Sequence, residues 1–205
     1  MMDAPALPPL LDLAGTAVFA LSGALIAARL NQTFVTCAFF ALLTGVGGGS
    51  VRDVLLGLPA FWLRDLWVAP AVLGTAIIAW LLPRGWWEGR WLEWADALGM
   101  AAFSTLGVAK ALAFDVAPIP AVILGVVTGC VGGIIRDVIA GVPSILMRPE
   151  LYVTASALAA SLCAGLLLGG VQQYAAMAIA ALAGFGLRGA AMVWSIELPA
   201  YSREA

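Results

Sequence analysis

Apolar residues fall into seven long blocks, separated by short segments rich in charged residues, proline or glycine. A helix needs about 20 mostly apolar residues to cross a bilayer, and the blocks approach that length. The pattern therefore predicts an all-α integral membrane protein with seven transmembrane helices. The predicted spans are 11–28, 33–56, 66–82, 95–114, 121–140, 151–168 and 174–196, with a wet loop at 86–93 whose tryptophans suit the membrane interface.

Composition excludes several function classes. Of the 205 residues, 63% are hydrophobic and 11% are charged, against about 25% charged in soluble domains. The net charge of −2 provides no basic surface for nucleic acid. Without any histidine, the chain lacks the commonest general base and metal ligand, so we predict no enzyme, metal site or cofactor. Cys37, Cys130 and Cys163 are widely spaced in apolar runs and are predicted to pack as small residues.

The distribution of arginine predicts the orientation in the membrane. With seven spans, loops on one side carry five arginines and those on the other side carry only Arg64; the five are Arg29, Arg84, Arg90, Arg148 and Arg203. Positive charge collects on the cytoplasmic side, so the N-terminus is predicted outside the plasma membrane and the C-terminus in the cytoplasm. No Lys or Arg precedes the first apolar run, which is therefore predicted to be a retained helix and not a cleaved signal.

An internal repeat organises the chain. A shift of 84 positions aligns two segments without a gap, including charged residues, prolines and glycines that chance rarely matches; among the pairs are Asp12/Asp96, Gly15/Gly99, Phe19/Phe103, Gly23/Gly107, Thr44/Thr128, Arg52/Arg136, Asp53/Asp137, Gly57/Gly141 and Pro59/Pro143. Because each unit has three helices, the second copy must start from the opposite face and have inverted topology. We predict one transmembrane domain, with repeats at about 10–82 and 94–168 and an extra helix at about 172–196.

Two glycine clusters, each followed by an Arg-Asp pair, are the candidate functional segments. They are Gly47, Gly48 and Gly49 before Arg52 and Asp53, and Gly132 and Gly133 before Arg136 and Asp137. Each glycine inside a helix costs up to about 1 kcal/mol relative to alanine, so a run of glycines indicates a bend, a break or close backbone approach. Charges that follow at once favour a site on a permeation path. For Gly15, Gly23, Gly99 and Gly107 we expect small-residue helix packing.

The neighbouring arginine and aspartate of each motif point about 100° apart on a helix, so we expect them not to pair with each other. Pseudo-symmetry suggests Arg52 with Asp137 or Asp12, and Arg136 with Asp53 or Asp96. The alternative is that these are helix-end charges reaching the membrane interface. The same alternatives hold for Lys110, which replaces Ile26 of the first copy and is either an electrostatic gate or an interfacial charge. Arg188 is expected to be structural or interfacial.

The repeated motif resembles prokaryotic members of the trimeric intracellular cation (TRIC) channel family, also catalogued as glycine transporters. The resemblance covers nearly the whole chain. It implies a potassium-preferring channel, permeable to Na⁺ to a lesser extent, with one hourglass pore per protomer of a homotrimer and helices 2 and 5 bent at their glycines. It also implies that Gly47, Gly48, Gly49, Arg52, Asp53, Gly132, Gly133, Arg136 and Asp137 line or shape the pore.

Two features depart from that family's pattern. The second cluster, Val131-Gly132-Gly133, has one glycine fewer than the first, and Lys110 is followed by Ala111-Leu112 where animal members have Glu-Val. The departure at Lys110 argues against phosphoinositide coupling of the animal type. The sequence leaves three functions open: a cation channel, a transporter of glycine or another small amino acid, and a structural or signalling membrane protein. The resemblance favours the channel.

Overall fold

The computed structural model describes residues 9–83, 85 and 90–199 of the chain. Within these residues it contains seven α-helices, as predicted: α1 Pro9–Arg29, α2 Phe34–Leu55, α3 Val68–Leu81, α4 Trp91–Ala113, α5 Pro118–Ala140, α6 Val153–Leu168 and α7 Gln173–Trp194. Short 3-10 turns, Phe61–Leu63 and Ile145–Met147, follow α2 and α5. The predicted loop positions Arg84, 86–89 and Arg203 lie outside the described residues.

Four of the described helices, α1, α2, α5 and α7, are long and apolar enough to cross a membrane, and α3 and α6 are shorter apolar helices. Many large apolar side chains on the outside of the bundle are exposed, among them Leu66, Leu81, Ile119 and Leu182. Both features suit a lipid environment. Apolar side chains can contact lipid tails, and helices satisfy their own backbone hydrogen bonds.

The predicted wet loop at 86–93 is wrong over its last three residues. Helix α4 begins at Trp91, and Glu93 in its first turn forms an ion pair with Arg29 at the end of α1, with 3.6 Å between nitrogen and oxygen. An acidic residue in a first turn is stabilised by the helix dipole, which supports the earlier start. Helix α5 also begins three residues before its prediction, because Pro118 suits a first helical position, where its missing N–H is not needed.

The two copies end their second helices in the same way. Gly57 and Gly141 have φ values of +71° and +66°, a left-handed conformation that glycine adopts without steric cost. In each copy the chain then passes a proline, Pro59 or Pro143, and forms a 3-10 turn. The repeat in sequence is therefore also a repeat of local backbone structure.

Helices α1–α3 form one bundle and α4–α6 a second, and α7 packs on α4 and α6 of the second. The bundles meet through α1 against α4 and α2 against α5. The rings of Phe19 and Phe103 stack with centroids 5.4 Å apart, and each lies over the other copy's glycine, Phe103 on Gly15 and Phe19 on Gly99. Such reciprocal contacts between equivalent residues are those of a two-fold axis, so the predicted inverted repeat is confirmed.

Candidate functional site: two Arg-Asp clusters flanking a glycine crossing

The glycine clusters lie where α2 crosses α5. A Cβ atom on Gly48 would overlap the carbonyl oxygen of Thr128, and one on Gly132 would lie 2.7 Å from the carbonyl oxygen of Thr44. Both helices are continuous through their clusters, so a break in either helix is excluded. The glycines provide close backbone approach, which was one of the three sequence-based interpretations.

The remaining glycines of the clusters contact side chains of the same central region. A Cβ on Gly47 would lie 3.0 Å from Ile135, and one on Gly49 would lie 2.6 Å from the ring of Phe61. A Cβ on Gly133 would lie 2.9 Å from Asp96 Oδ1 and 3.0 Å from the hydroxyl oxygen of Tyr152. Gly23 and Gly107, expected to be packing glycines, lie against backbone atoms of Phe40 and Gly125, which confirms that role.

Phe19 and Phe103 belong to this central region although the sequence-based site did not include them. The ring of Phe103 lies 3.5 Å from the position that a Cβ on Gly49 would occupy. The ring of Phe19 lies 3.8 Å from the position that a Cβ on Gly132 would occupy. Both rings are fully buried. Their equivalence in the repeat was a signal in the sequence, but an aromatic residue inside an apolar helix is usually a packing residue.

The first charge cluster, which we call the Arg52 cluster, consists of Asp12, Arg52, Asp53 and Lys110. Arg52 donates from Nη1 to Asp12 Oδ1 at 2.9 Å and from Nε to Asp53 Oδ1 at 2.8 Å. Lys110 Nζ donates to the same Asp53 oxygen at 2.8 Å. Two cations therefore face two carboxylates in a buried setting, and the formal charge of the cluster is zero.

The second, the Arg136 cluster, consists of Ser22, Asp96, Arg136 and Asp137. Arg136 donates from Nη1 to Asp96 Oδ1 at 2.6 Å and to the hydroxyl of Ser22 at 3.0 Å. Its Nε donates to Asp137 Oδ1 at 2.9 Å. One cation faces two carboxylates here, so the formal charge is −1.

Three sequence-based expectations about these charges are corrected. Each arginine does pair with its neighbouring aspartate, because the long guanidinium fork can turn back along the helix while a second nitrogen reaches another helix. The crossed pairs of Arg52 with Asp137 and Arg136 with Asp53 are absent from the described contacts, whereas the pairs with Asp12 and Asp96 are confirmed. Neither arginine extends its side chain out of the protein, since Arg52 and Arg136 are 0% and 2% exposed.

Both motif aspartates also hold the turn that follows their helix. Asp53 Oδ2 accepts from the backbone N–H of Phe61, and Asp137 Oδ2 accepts from that of Ile145, each at 2.8 Å. Every motif aspartate thus joins an arginine, a helix end and the next 3-10 turn. This structural role explains why an aspartate follows the arginine directly.

Lys110 is the side chain that distinguishes the two clusters most clearly. It comes from the second bundle but pairs with Asp53 of the first, and its side chain is 18% exposed. The equivalent residue, Ile26, is a buried core residue. Lys110 therefore turns toward Asp53 and adds a positive charge to the Arg52 cluster only.

Arg188 on α7 is fully buried, which supports the structural alternative. Its guanidinium forms an ion pair with Glu150 at 2.5 Å and lies 5.5 Å from the ring centroid of Tyr152. Glu150 pairs in turn with Glu197 through an antiparallel backbone bridge after α7. Helix α7 is thereby attached to the second bundle beside the Arg136 cluster. The sequence did not indicate these contacts, because Arg188 lies outside the repeat.

Chemistry other than charge pairing has little support in the described part of the chain. No group of three or more His, Cys, Asp or Glu side chains there is placed to hold a metal ion. All three cysteines are buried and free, as predicted. The site can therefore arrange charges and polar groups along the interior of the bundle.

A family model described as "Glycine transporter" matches the chain twice, at residues 9–84 and 93–167. The two matches coincide with the two repeats. A membrane protein of Vibrio cholerae serotype O1 is 37% identical over 202 residues, covering 94% of this chain and 82% of that protein. An inner membrane protein of Escherichia coli K12 is 39% identical over 150 residues, covering 71% and 72%.

Solved structures that are similar to this chain include TRIC channels. The TRIC channel orthologue from Rhodobacter sphaeroides has a TM-score of 0.84 and 34% identity, covering 91% of this chain and 97% of that one. A second structure, of a TRIC cation channel studied for its conductance, has a TM-score of 0.82 and 26% identity. The match covers 98% of this chain and 100% of that one.

Proposed function

This chain belongs to the glycine transporter family and is similar in structure to TRIC cation channels, and we propose that it is a channel for monovalent cations. We further propose that it prefers K⁺, that it assembles as a homotrimer with one hourglass pore per protomer, and that it lies in the plasma membrane with its N-terminus outside. The proposed pore residues are the two glycine clusters, both Arg-Asp pairs and Lys110.

The observation that supports a channel best is the placement of the two charge clusters. Arg52 and Arg136 each follow the crossing glycine of their helix by one turn, and α2 and α5 run in opposite directions. The clusters therefore lie on opposite sides of the crossing. Because Gly48 lies against Thr128, Arg52 is level with Leu124, twelve residues before Arg136, which separates the clusters by about 18 Å at 1.5 Å per residue. Buried charges inside a membrane bundle are costly and are typical of ion pathways.

The crossing itself would be the narrow point of the proposed hourglass. Backbones of α2 and α5 touch there, and the apolar rings of Phe19 and Phe103 lie beside them. An apolar constriction between two polar regions closes a path by excluding water. Conduction would require the helices to separate or bend at Gly48 and Gly132, where no side chain resists such movement.

Purified protein in planar bilayers under a K⁺ gradient tests the channel. We expect discrete unitary currents that reverse near the K⁺ equilibrium potential, with smaller currents when Na⁺ replaces K⁺. Saturable uptake of glycine into liposomes, without unitary currents, would instead establish the transporter and overturn the proposal.

Substitution of the motif aspartates tests the proposed path. Asp137→Asn and Asp53→Asn remove a carboxylate that attracts cations, so we expect lower unitary K⁺ current and weaker discrimination against Cl⁻. The control is Asp115→Asn, at an exposed turn residue with φ of +57°, a conformation that asparagine tolerates. Only variants that elute like the parent protein are compared. If both motif variants conduct like the parent, the aspartates do not lie on the path.

A further inference from the structure

Helix α7 lies outside the repeat, yet it packs on the part of α4 that carries Asp96. The rings of Phe185 and Trp94 have centroids 5.6 Å apart, and a Cβ on Gly189 would lie 3.0 Å from the same indole. Trp94 comes two residues before Asp96 in α4. Helix α7 is therefore placed to act on the Arg136 cluster.

A second contact of α7 is a buried one between Arg188 and Tyr152, the residue just before α6. The two side chains are 0% and 1% exposed, and the guanidinium carbon lies 5.5 Å from the ring centroid. A cation within roughly 6 Å of a ring centroid is attracted to the ring face, most strongly where water is excluded. One guanidinium nitrogen pairs with Glu150, whereas Nε and Nη1 have no hydrogen-bond partner among the described residues. The charge of Arg188 is thus matched by Glu150 and by the ring of Tyr152.

The hydroxyl of Tyr152 reaches the carboxylate that holds Arg136. Tyr152 and Asp96 interact by a hydrogen bond between their side chains. Both lie close against the backbone of α5 at Gly133, which leaves no space for a further group. Asp96 Oδ1 also accepts from Arg136 at 2.6 Å. A chain of buried contacts therefore joins α7 to the guanidinium on α5.

The Arg52 cluster lacks this chain of contacts. The shift of 84 positions makes Val68 the equivalent of Tyr152, and makes Leu10 and Leu66 the equivalents of Trp94 and Glu150. Val68 is buried but has no polar side-chain atom, and the two leucines are 70% and 89% exposed. The connection to α7 is therefore an addition to the second copy that the repeat does not require.

We propose that Arg188 is a positioning residue for the Arg136 cluster. It holds the ring of Tyr152 so that the hydroxyl stays on Asp96. A carboxylate fixed in this way keeps the guanidinium of Arg136 in place. A carboxylate free to turn would let that positive charge move into the proposed path, where it would repel K⁺. The effect on current rests on the proposed function, whereas the hold on Tyr152 does not.

Ultraviolet resonance Raman spectra of the purified protein test the hold on Tyr152 without measuring conduction. The chain has three tyrosines, so Tyr174→Phe together with Tyr201→Phe leaves Tyr152 as the only one. The intensity ratio of the tyrosine doublet changes when the hydroxyl no longer donates to a strong acceptor. In this background Asp96→Asn should change the ratio, because an amide accepts more weakly than a carboxylate.

The test variant combines Arg188→Met with Glu150→Gln, which removes the contact with the ring without changing the net charge. We expect it to change the ratio in the same sense as Asp96→Asn. The matched control is Gly184→Ala, where a Cβ would lie 2.7 Å from Ala159 and so loosens α7 on α6 by packing alone. An unchanged ratio in the double variant overturns the proposal, as does an equal change in Gly184→Ala.

Bilayer recordings measure the consequence for the Arg136 cluster. Tyr152→Phe keeps the ring beside Arg188 and removes only the hydroxyl, so it remains informative if the double variant does not fold. We expect a several-fold lower unitary K⁺ current in both variants and a parent-like current in Gly184→Ala. Parent-like currents in Tyr152→Phe overturn the positioning role.

The two measurements separate this proposal from the proposed channel. The expected change in the Raman ratio, in a preparation without unitary currents, supports the hold on Tyr152 and overturns the channel. Unitary currents together with an unchanged ratio in the double variant leave the channel and overturn the positioning role.

Discussion

At the scale of single residues, each arginine of the repeat bridges two carboxylates with different nitrogens of one guanidinium group, which a lysine could not do in the same way. Arg52 contacts Asp12 and Asp53 with different nitrogens, and Arg136 contacts Asp96 and Asp137. Lysine offers one compact charge, whereas the guanidinium offers five donors in a planar fork. Each arginine therefore fixes a helix of its own bundle to the end of α2 or α5.

Lys110 gives the first residue-scale prediction. Lys110→Met leaves the Arg52 cluster with a formal charge of −1, which should raise local cation concentration and increase unitary K⁺ current several-fold at low salt. The increase should shrink at high salt, because screening shortens the range of the added charge. Single-channel recordings at two ionic strengths measure both effects.

The control for that experiment is Lys110→Arg, which keeps the charge and should conduct like the parent. Because Asp53 is fully buried, loss of this ion pair should also lower stability, so only variants that elute like the parent protein are compared. A Lys110→Met variant that conducts no better than the parent at low salt would contradict a position on the cation path.

At the scale of helices, the glycine crossing depends on the absence of a single methyl group. Gly48 has no room for a Cβ next to the backbone of Thr128. Gly74, within α3, has nothing within 4 Å of the same position. The two glycines are thus alike in helical setting and opposite in environment.

Gly48→Ala should therefore lower the free energy of unfolding by about 1–3 kcal/mol, the usual cost of overpacking. Gly74→Ala should raise it by up to about 1 kcal/mol, because alanine has the higher helix propensity. Melting temperatures in the same detergent compare the two variants. Equal effects of the two substitutions would show that α2 and α5 do not meet as closely as described.

Helix α7 is held to the second bundle by charge as well as by packing. Arg188 contacts Glu150 and Tyr152, and the backbone N–H of Leu198 donates to the carbonyl of Pro149 at 2.7 Å. The segment after α7 therefore positions the loop that carries Glu150. The first bundle has no equivalent helix among the described residues.

A double-mutant cycle on Arg188→Met and Glu150→Gln measures this attachment. Glu150→Gln alone leaves a buried guanidinium without its carboxylate, which should be clearly destabilising. Because the loss of one partner makes the other unfavourable, we expect the double variant to be more stable than additivity predicts, by at least about 1 kcal/mol. Additive effects on unfolding would mean that the two side chains do not interact.

At the scale of the whole molecule, inverted topology places one buried charge cluster toward each face of the membrane. With the proposed orientation, the Arg52 cluster lies toward the outside and the Arg136 cluster toward the cytoplasm. The trimer would place three such pores side by side. Native mass spectrometry in mild detergent should then detect three copies, and a monomer would contradict the trimer.

The orientation has its own test. A reporter active only in the cytoplasm should work when fused after Ala205 and fail when fused before Met1. The expectation follows from the arginine-rich loops on one side of the seven spans. The reverse result would assign the Arg136 cluster to the outside.

The sequence alone predicted the helices, the repeat and its inversion, because apolar length and an odd number of spans per copy are local properties of the chain. It also limited the partner of Arg52 to Asp137 or Asp12 and that of Arg136 to Asp53 or Asp96, since equivalent charges in equivalent helices limit the choices; the structure selected Asp12 and Asp96. The start of α4 at Trp91 could not be predicted, because tryptophan and charged residues occur both in interfacial loops and in the first turns of helices.

Only the tertiary structure decided how the copies meet and where they differ. The sequence could not distinguish a break from a close crossing at the glycines, because both use the same residue and only the presence of Thr128 or Thr44 opposite selects between them. It could not pair Lys110 with Asp53, nor place Tyr152 beside Asp96, since those contacts join residues far apart in the chain and outside the repeat's equivalences. The repeat determined two similar charge clusters; the packing of non-equivalent side chains made one neutral and the other negative.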